Sequence, residues 1–366
     1  MEQLKAFLKR KNIVISAKRY GIDALGAMAQ GLFCSLLIGT IINTLGEQLG
    51  IPFLVDVGRY ASAMSGAAMA VAIGYALQAP PLVLFSLVTV GYAANALGST
   101  SLIPDQAGAG GPLAVLFIAV IAAEFGKAVS KETKIDILVT PLVTILVGVG
   151  LSAWWAPAIG TAATAVGNII MWATDLQPFL MGIVVSVVIG VALTLPISSA
   201  AICAAFGLTG LAGGAAVAGC CANMVGFAVL SFRENRWGGL VSQGLGTSML
   251  QMPNIVRNPR IWLPAILTSA ITGPLATCVF HLEMNGPPVS SGMGTCGLVG
   301  QIGVWTGWLA PSERAIANGA VAITPGVMDW AGLILISFVL PAVLCWAFGL
   351  FFRRIGWIKE GDLTLE

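Results

Sequence analysis

Three features of the sequence predict an all-α polytopic membrane protein with about ten transmembrane helices and two re-entrant hairpins. Hydrophobic residues fill 57% of the 366 positions and charged residues only 9%, where a soluble chain carries roughly 25% charged residues. The mean hydropathy is +0.91, and no polar domain interrupts the apolar stretches. Two stretches near membrane depth are too rich in glycine and proline to form ordinary spanning helices. Broken backbone of that kind is tolerated only where it is buried in protein or lines a watery cavity.

Residues 1–20 mix apolar residues (Leu4, Phe7, Leu8, Ile13, Val14) with Lys5, Lys9, Arg10, Lys11, Lys18 and Arg19. That pattern suits an amphipathic helix lying in the interface, not a cleaved signal. The first span covers about Gly26 to Asn43, and a loop with Glu47, Asp56 and Arg59 follows. Ala61 to Leu77 is the second span, rich in small residues that allow close helix packing in lipid. Pro80-Pro81 ends it, and Leu82 to Leu97 is the third. Ser99 to Gly111 is a polar, Gly-rich loop. Pro112 to Val129 is the fourth span, Ile135 to Trp154 the fifth and Pro157 to Thr174 a weaker sixth.

Phe179 to Leu195 is the seventh span. Ala200 to Leu230 is too long and too glycine-broken for one regular span, and reads as a loop or half-helix feeding an eighth crossing. Trp237 to Asn254 is short and carries Gly238, Gly239, Gly244, Gly246 and Pro253, poor material for a full span. Ile261 to Phe280 is the ninth span, Glu283 to Trp308 a second broken segment, and Met328 to Phe352 the tenth. The division is a scaffold half (21–175), a substrate half (176–355) and a cytoplasmic tail (356–366). Basic clusters at the N-terminus, Lys127–Lys134, Arg233/Arg236, Arg257/Arg260 and Arg353/Arg354/Lys359 share one side if the two broken segments enter from opposite faces. Both termini then lie in the cytoplasm, with the chain in a bacterial inner membrane. Half-helices that meet from opposite faces suit alternating access.

Polar residues gather on the two broken segments. The inner group is Asn223, Arg233, Gln243, Thr247, Ser248, Gln251 and Asn254; the outer is His281, the sole histidine, with Glu283, Asn285, Ser290, Ser291, Thr295 and Gln301. The candidate substrate contacts among them are Asn223, Gln243, Gln251, Asn254, His281, Glu283, Asn285, Ser290 and Ser291. Amides and hydroxyls with one carboxylate and one imidazole are what a polyhydroxyl ligand needs, because each sugar hydroxyl both donates and accepts. A carboxylate can also take a hydroxyl proton. Structural readings stand beside these: Glu283 can cap a half-helix or face external water, His281 can sit at the interface, and the inner amides can bond helix to helix. Glu124 and Asp329, near span ends, read as solvated or capping.

Other chemistries lack the residues. No metal site or cofactor is implied by one histidine and seven cysteines without metal-like spacing, which read as small buried hydrophobes. A P-loop is absent. The basic clusters serve orientation, not nucleic acid. No catalytic residue is assigned.

The motifs Cys221-Ala-Asn-Met-Val-Gly-Phe227, Val241-Ser-Gln-Gly-Leu-Gly-Thr-Ser-Met-Leu-Gln-Met-Pro-Asn254 and Glu283-Met-Asn-Gly-Pro-Pro-Val-Ser-Ser-Gly-Met-Gly294 resemble the membrane (EIIC) component of phosphotransferase-system sugar permeases. More narrowly, they resemble the branch that includes the perfringolysin-regulator-like membrane proteins. The resemblance implies an EIIC-like fold, a homodimer built on N-terminal spans, and elevator-like transport of a sugar or polyol, with Glu283 at the centre of the site. It also implies separate EIIB and EIIA phosphoryl-carrying proteins. In the better-known permeases the glutamate stands in an Asn-Glu-Pro setting, whereas Glu283 here precedes Asn285-Gly-Pro. Two alternatives remain at this point: a non-transporting membrane sensor, and an ion-coupled transporter of another small solute.

Overall fold

The computed structural model describes residues 2–102 and 108–365. Residues 103–107 of the expected Ser99–Gly111 loop fall outside it, as do Met1, Glu366 and the side chains of Glu2, Leu4 and Lys5. Among the described residues the fold is helical throughout, with a single isolated bridge between Gly210 and Met284. Seven helices are long and apolar enough to cross a membrane, accompanied by two shorter apolar ones. The chain divides into two compact units, Met1–Ala163 and Thr164–Glu366.

The first unit holds α1 (Glu2–Arg10), α2 (Arg19–Leu49), α3 (Pro52–Ala63), α4 (Ser65–Ala76), α5 (Pro81–Gly98) and α6 (Gly111–Val129). The expected loop around Glu47, Asp56 and Arg59 is mostly helix. Gly50 takes a left-handed cap (φ +65°) and Pro52 starts α3 at once, so the turn needs only a few residues. The expected second span is broken at Met64, between α3 and α4. α1 is tied down through Arg10 to Glu132 (2.7 Å) and Lys11 to the Ser130 carbonyl. The Lys11 ammonium holds the Glu132 carboxyl below its ordinary range. Glu124 is not solvated: it pairs with buried Lys127 (2.9 Å) and accepts from the Tyr20 hydroxyl (3.1 Å).

The unit boundary falls within α7 (Asp136–Thr174), where the expected fifth and sixth spans are one 39-residue helix. Pro157 does not stop it; its carbonyl still accepts from Thr161 Oγ1 (2.8 Å). At 1.5 Å per residue α7 extends roughly 58 Å, about twice a hydrocarbon core.

The second unit comprises α8 (Pro178–Thr194), α9 (Ser199–Ala205), α10 (Gly210–Leu230), α11 (Phe232–Val241), α12 (Met252–Arg257), α13 (Pro259–Val279), α14 (Val299–Leu309), α15 (Glu313–Ala317) and α16 (Val327–Arg354). The short α9 leading through Gly207 and Gly210 (φ +62° and +64°) into α10 is the half-helix expected ahead of the eighth crossing. α10 is buried along nearly its whole length and packs against α8, α13 and α16. Its small residues permit this. A Cβ on Gly219 would lie 1.9 Å from the Ser186 carbonyl oxygen of α8, and one on Gly214 would lie 1.7 Å from the Leu282 carbonyl oxygen. Five of the seven cysteines are buried; Cys34 and Cys278 are exposed.

Gly219→Val should therefore cost about 3 kcal/mol or more, because backbone must move to admit it. Gly150→Ala, at a helical position with nothing within 4 Å, should be neutral or stabilise by about 0.5–1 kcal/mol. Thermal unfolding of both variants in detergent checks the contrast.

Candidate functional site

The outer broken segment begins where α13 ends in a widened turn, Leu275–Val279, closed by the Phe280 amide on the Leu275 carbonyl (3.0 Å). His281 then takes a left-handed conformation (φ +46°) that turns the chain. The next residues run extended: the Leu282 amide donates to the Ala276 carbonyl (2.8 Å), and Met284 exchanges two 3.0 Å bonds with Gly210. Extended backbone sends alternate side chains to opposite faces. Leu282 and Met284 thus enter the core, while Glu283 between them is exposed.

Buried Asn285, two residues on, donates Nδ2 to Glu283 Oε2 (2.9 Å). That bond fixes one carboxylate oxygen, and no described residue bonds Oε1. Pro287-Pro288 then opens a tight turn, Pro288–Gly292, held by Ser291 Oγ on the Leu208 carbonyl and Ser199 Oγ on the Gly292 carbonyl (both 2.7 Å). Ser290 is buried beside Gly303 of α14. His281 is exposed near Glu283 in sequence.

The inner broken segment starts from α11, kinked at Arg236 (φ 52°, ψ −147°). A widened turn at Ser242–Gly246, extended Thr247 and a tight turn at Ser248–Gln251 carry the chain into α12. Its amides form a relay. Gln243 Nε2 donates to Ser231 Oγ (2.8 Å), Gln251 Nε2 to Gln243 Oε1 (2.9 Å), and Asn254 Nδ2 to Gln251 Oε1 (2.9 Å). The relay is buried, and its spare donors reach the C-terminal tail: Gln251 Nε2 to the Leu363 carbonyl (3.0 Å) and Asn254 Nδ2 to the Thr364 carbonyl (2.9 Å). Asn235 completes the dock, donating to the Leu363 carbonyl (2.7 Å) and accepting from the Leu365 amide (2.8 Å).

Asn223, fully buried on α10, stands apart from that relay. It donates to the Gly219 carbonyl (3.1 Å) and Ser269 Oγ (3.2 Å), and its Oδ1 accepts from Trp262 Nε1 (3.0 Å).

The two broken segments touch. Thr295 Oγ1, fully buried beyond the outer turn, donates to the Gly244 carbonyl at the inner turn. Of the nine sequence-predicted residues, the structure pairs Glu283 with Asn285 and joins Gln243, Gln251 and Asn254 in a second cluster. Asn223, Ser290 and Ser291 are buried in packing contacts, and His281 is exposed without a bond to either cluster. Sequence reasoning missed the tail as a partner of the inner amides, because its contribution is backbone carbonyls that any residue type supplies. Gln301 Oε1 is a buried acceptor with no partner among the described residues. Among them, too, no group of three His, Cys, Asp or Glu side chains gathers as a metal site.

Asn235→Ala removes two of the bonds that hold the tail. Amide exchange at Leu365 should accelerate about tenfold, while α10 stays protected, as read by hydrogen–deuterium exchange.

Residues 22–365 match the family model described as "Phosphotransferase system, EIIC". No curated protein and no solved structure matches the chain. The match spans almost every element described above, including both broken segments. This integral membrane protein belongs to the EIIC family of the phosphotransferase system, the membrane components of sugar transport that work with EIIB and EIIA partners.

Proposed function

We propose that the chain binds and carries a sugar or related polyol, with Glu283 as the central contact. The observation that supports this most is the exposed carboxylate held on extended backbone between two buried residues and oriented by Asn285. Oε2 is engaged, so Oε1 is the acceptor for a substrate hydroxyl. His281, exposed on the turn before it, adds a second polar group on the same segment. Asn285 is the positioning residue.

The remaining predicted residues take different parts. Ser290 and Ser291 anchor the outer turn, Asn223 binds α10 and α13 and accepts from Thr194 Oγ1 of α8 (3.3 Å), and Gln243, Gln251 and Asn254 hold the inner segment and tail. Because both segments are fastened to α10 and to each other, they suit moving as one body. The elevator-like reading has the C-terminal half carry the ligand while the N-terminal half forms a homodimer in the bacterial inner membrane, both termini in the cytoplasm. Where EIIB supplies phosphate, Glu283 takes the proton of the attacking sugar hydroxyl as its oxygen bonds phosphorus and the EIIB cysteine thiolate leaves.

Thermal stabilisation of the purified protein against sugars and polyols tests the site, since a ligand that binds only the folded state raises Tm. One sugar should stabilise wild type, and Glu283→Gln should weaken its binding by tenfold or more, on the order expected for a charge-assisted hydrogen bond. Uptake into proteoliposomes loaded with EIIB should fail in the same variant. Stabilisation without uptake would assign the sensor reading; no carbohydrate response in either protein would sink the sugar reading.

A further inference from the structure

Two clefts adjoin at one end of the second unit and share Arg233 and Arg353. The first, about 290 Å³, is an apolar slot walled by Phe232, Leu240, Trp346 and Leu350. The second, about 570 Å³, is mixed in character and carries charge, walled by Glu234 and by Ile358, Lys359, Glu360 and Thr364 of the tail. Neither includes Glu283 or the inner amides.

The charges there are not all internally satisfied. Arg353 pairs with Glu234 (2.8 Å) and caps the Leu230 carbonyl (3.2 Å), which neutralises both members. Among the described residues none bonds the Arg233 guanidinium or the Lys359 ammonium, and beside the Arg353–Glu234 pair the second cleft sets these two cations against one further acid, Glu360. Glu234 Oε2 is a buried acceptor without a hydrogen-bond partner. The setting is interfacial: α16 changes from apolar residues to Arg353-Arg354 here, and Trp346 and Trp237 are exposed, as aromatic residues at a membrane boundary are.

A soluble anion has no use for the apolar slot, and a purely apolar guest has no use for Arg233. The geometry points to a site for an anionic glycerophospholipid. An acyl chain lies along Trp346 and Leu350, the phosphate meets Arg233 where the clefts join, and a headgroup hydroxyl turns toward Glu234. Basic pockets between helices at this depth recognise lipid headgroups by the same combination of charge and apolar contact.

Native mass spectrometry of the delipidated full chain tests this, titrated with phosphatidylglycerol, with phosphatidylcholine of the same acyl chains, and with sn-glycerol 3-phosphate. Phosphatidylglycerol should bind about tenfold more tightly than phosphatidylcholine, as one charge-assisted contact implies. Arg233→Gln should abolish that preference and Arg233→Lys should keep part of it. Leu240→Trp, which fills the slot, should weaken both lipids. Arg233 is exposed and makes no internal hydrogen bond, so its variants should melt with wild type before lipid is added; if Leu240→Trp fails to fold, the arginine variants decide alone. Equal binding of the two lipids, or a preference that survives Arg233→Gln, overturns the site. Competition by sn-glycerol 3-phosphate would assign the pocket to a soluble phosphate compound and overturn the lipid assignment.

Discussion

Backbone-to-backbone contact along α10 is the constraint on which the second unit depends. In lipid there is no hydrophobic drive between helices, so association rests on close packing and interhelical hydrogen bonds. Gly219 sets α10 against Ser186 of α8, and Gly214 brings the Leu282 carbonyl within reach. The second contact bears most on the proposed site, because Leu282 and Met284 are the buried residues that leave Glu283 facing outward. A larger residue at 214 would push away the segment that presents the carboxylate.

Irregular backbone at this depth needs partners for its amides and carbonyls. The outer segment's backbone finds them in Gly210, Ala276 and the Ser199 hydroxyl, while its Ser291 hydroxyl donates to the Leu208 carbonyl. The inner segment uses side chains instead: a buried relay of amides satisfies itself and captures the tail. Polar residues of one chemical kind thus do two jobs. Some are consumed in making broken backbone tolerable, and only a few, Glu283 foremost, are left facing outward.

That division is one the sequence alone does not resolve. Asn223, Gln243, Gln251 and Asn254 have the same functional groups as a sugar-binding residue, and composition cannot distinguish an amide already bonded to a neighbour from one awaiting a ligand. The tail was invisible for a related reason: the carbonyls of Leu363 and Thr364 become partners only when the fold brings them beside residues more than a hundred positions away.

By itself the sequence determined the solvent and the architecture: an apolar composition with few charges can only be a chain of membrane helices, and clustered glycine and proline mark where those helices break. It also singled out Glu283 as a carboxylate on broken backbone, since charge at such a place is costly in lipid. Tertiary structure decided continuity and exposure. Pro157, which reads as a break, lies inside one helix, because a single lost amide bond is tolerable where the rest of the helix is satisfied. Glu47, Asp56 and Arg59, which read as a loop, sit on helices joined by the tight turn at Gly50. Which polar atoms remain open depends on what lies opposite them in space, and that is a property of the packing of α10 and the segments fastened to it.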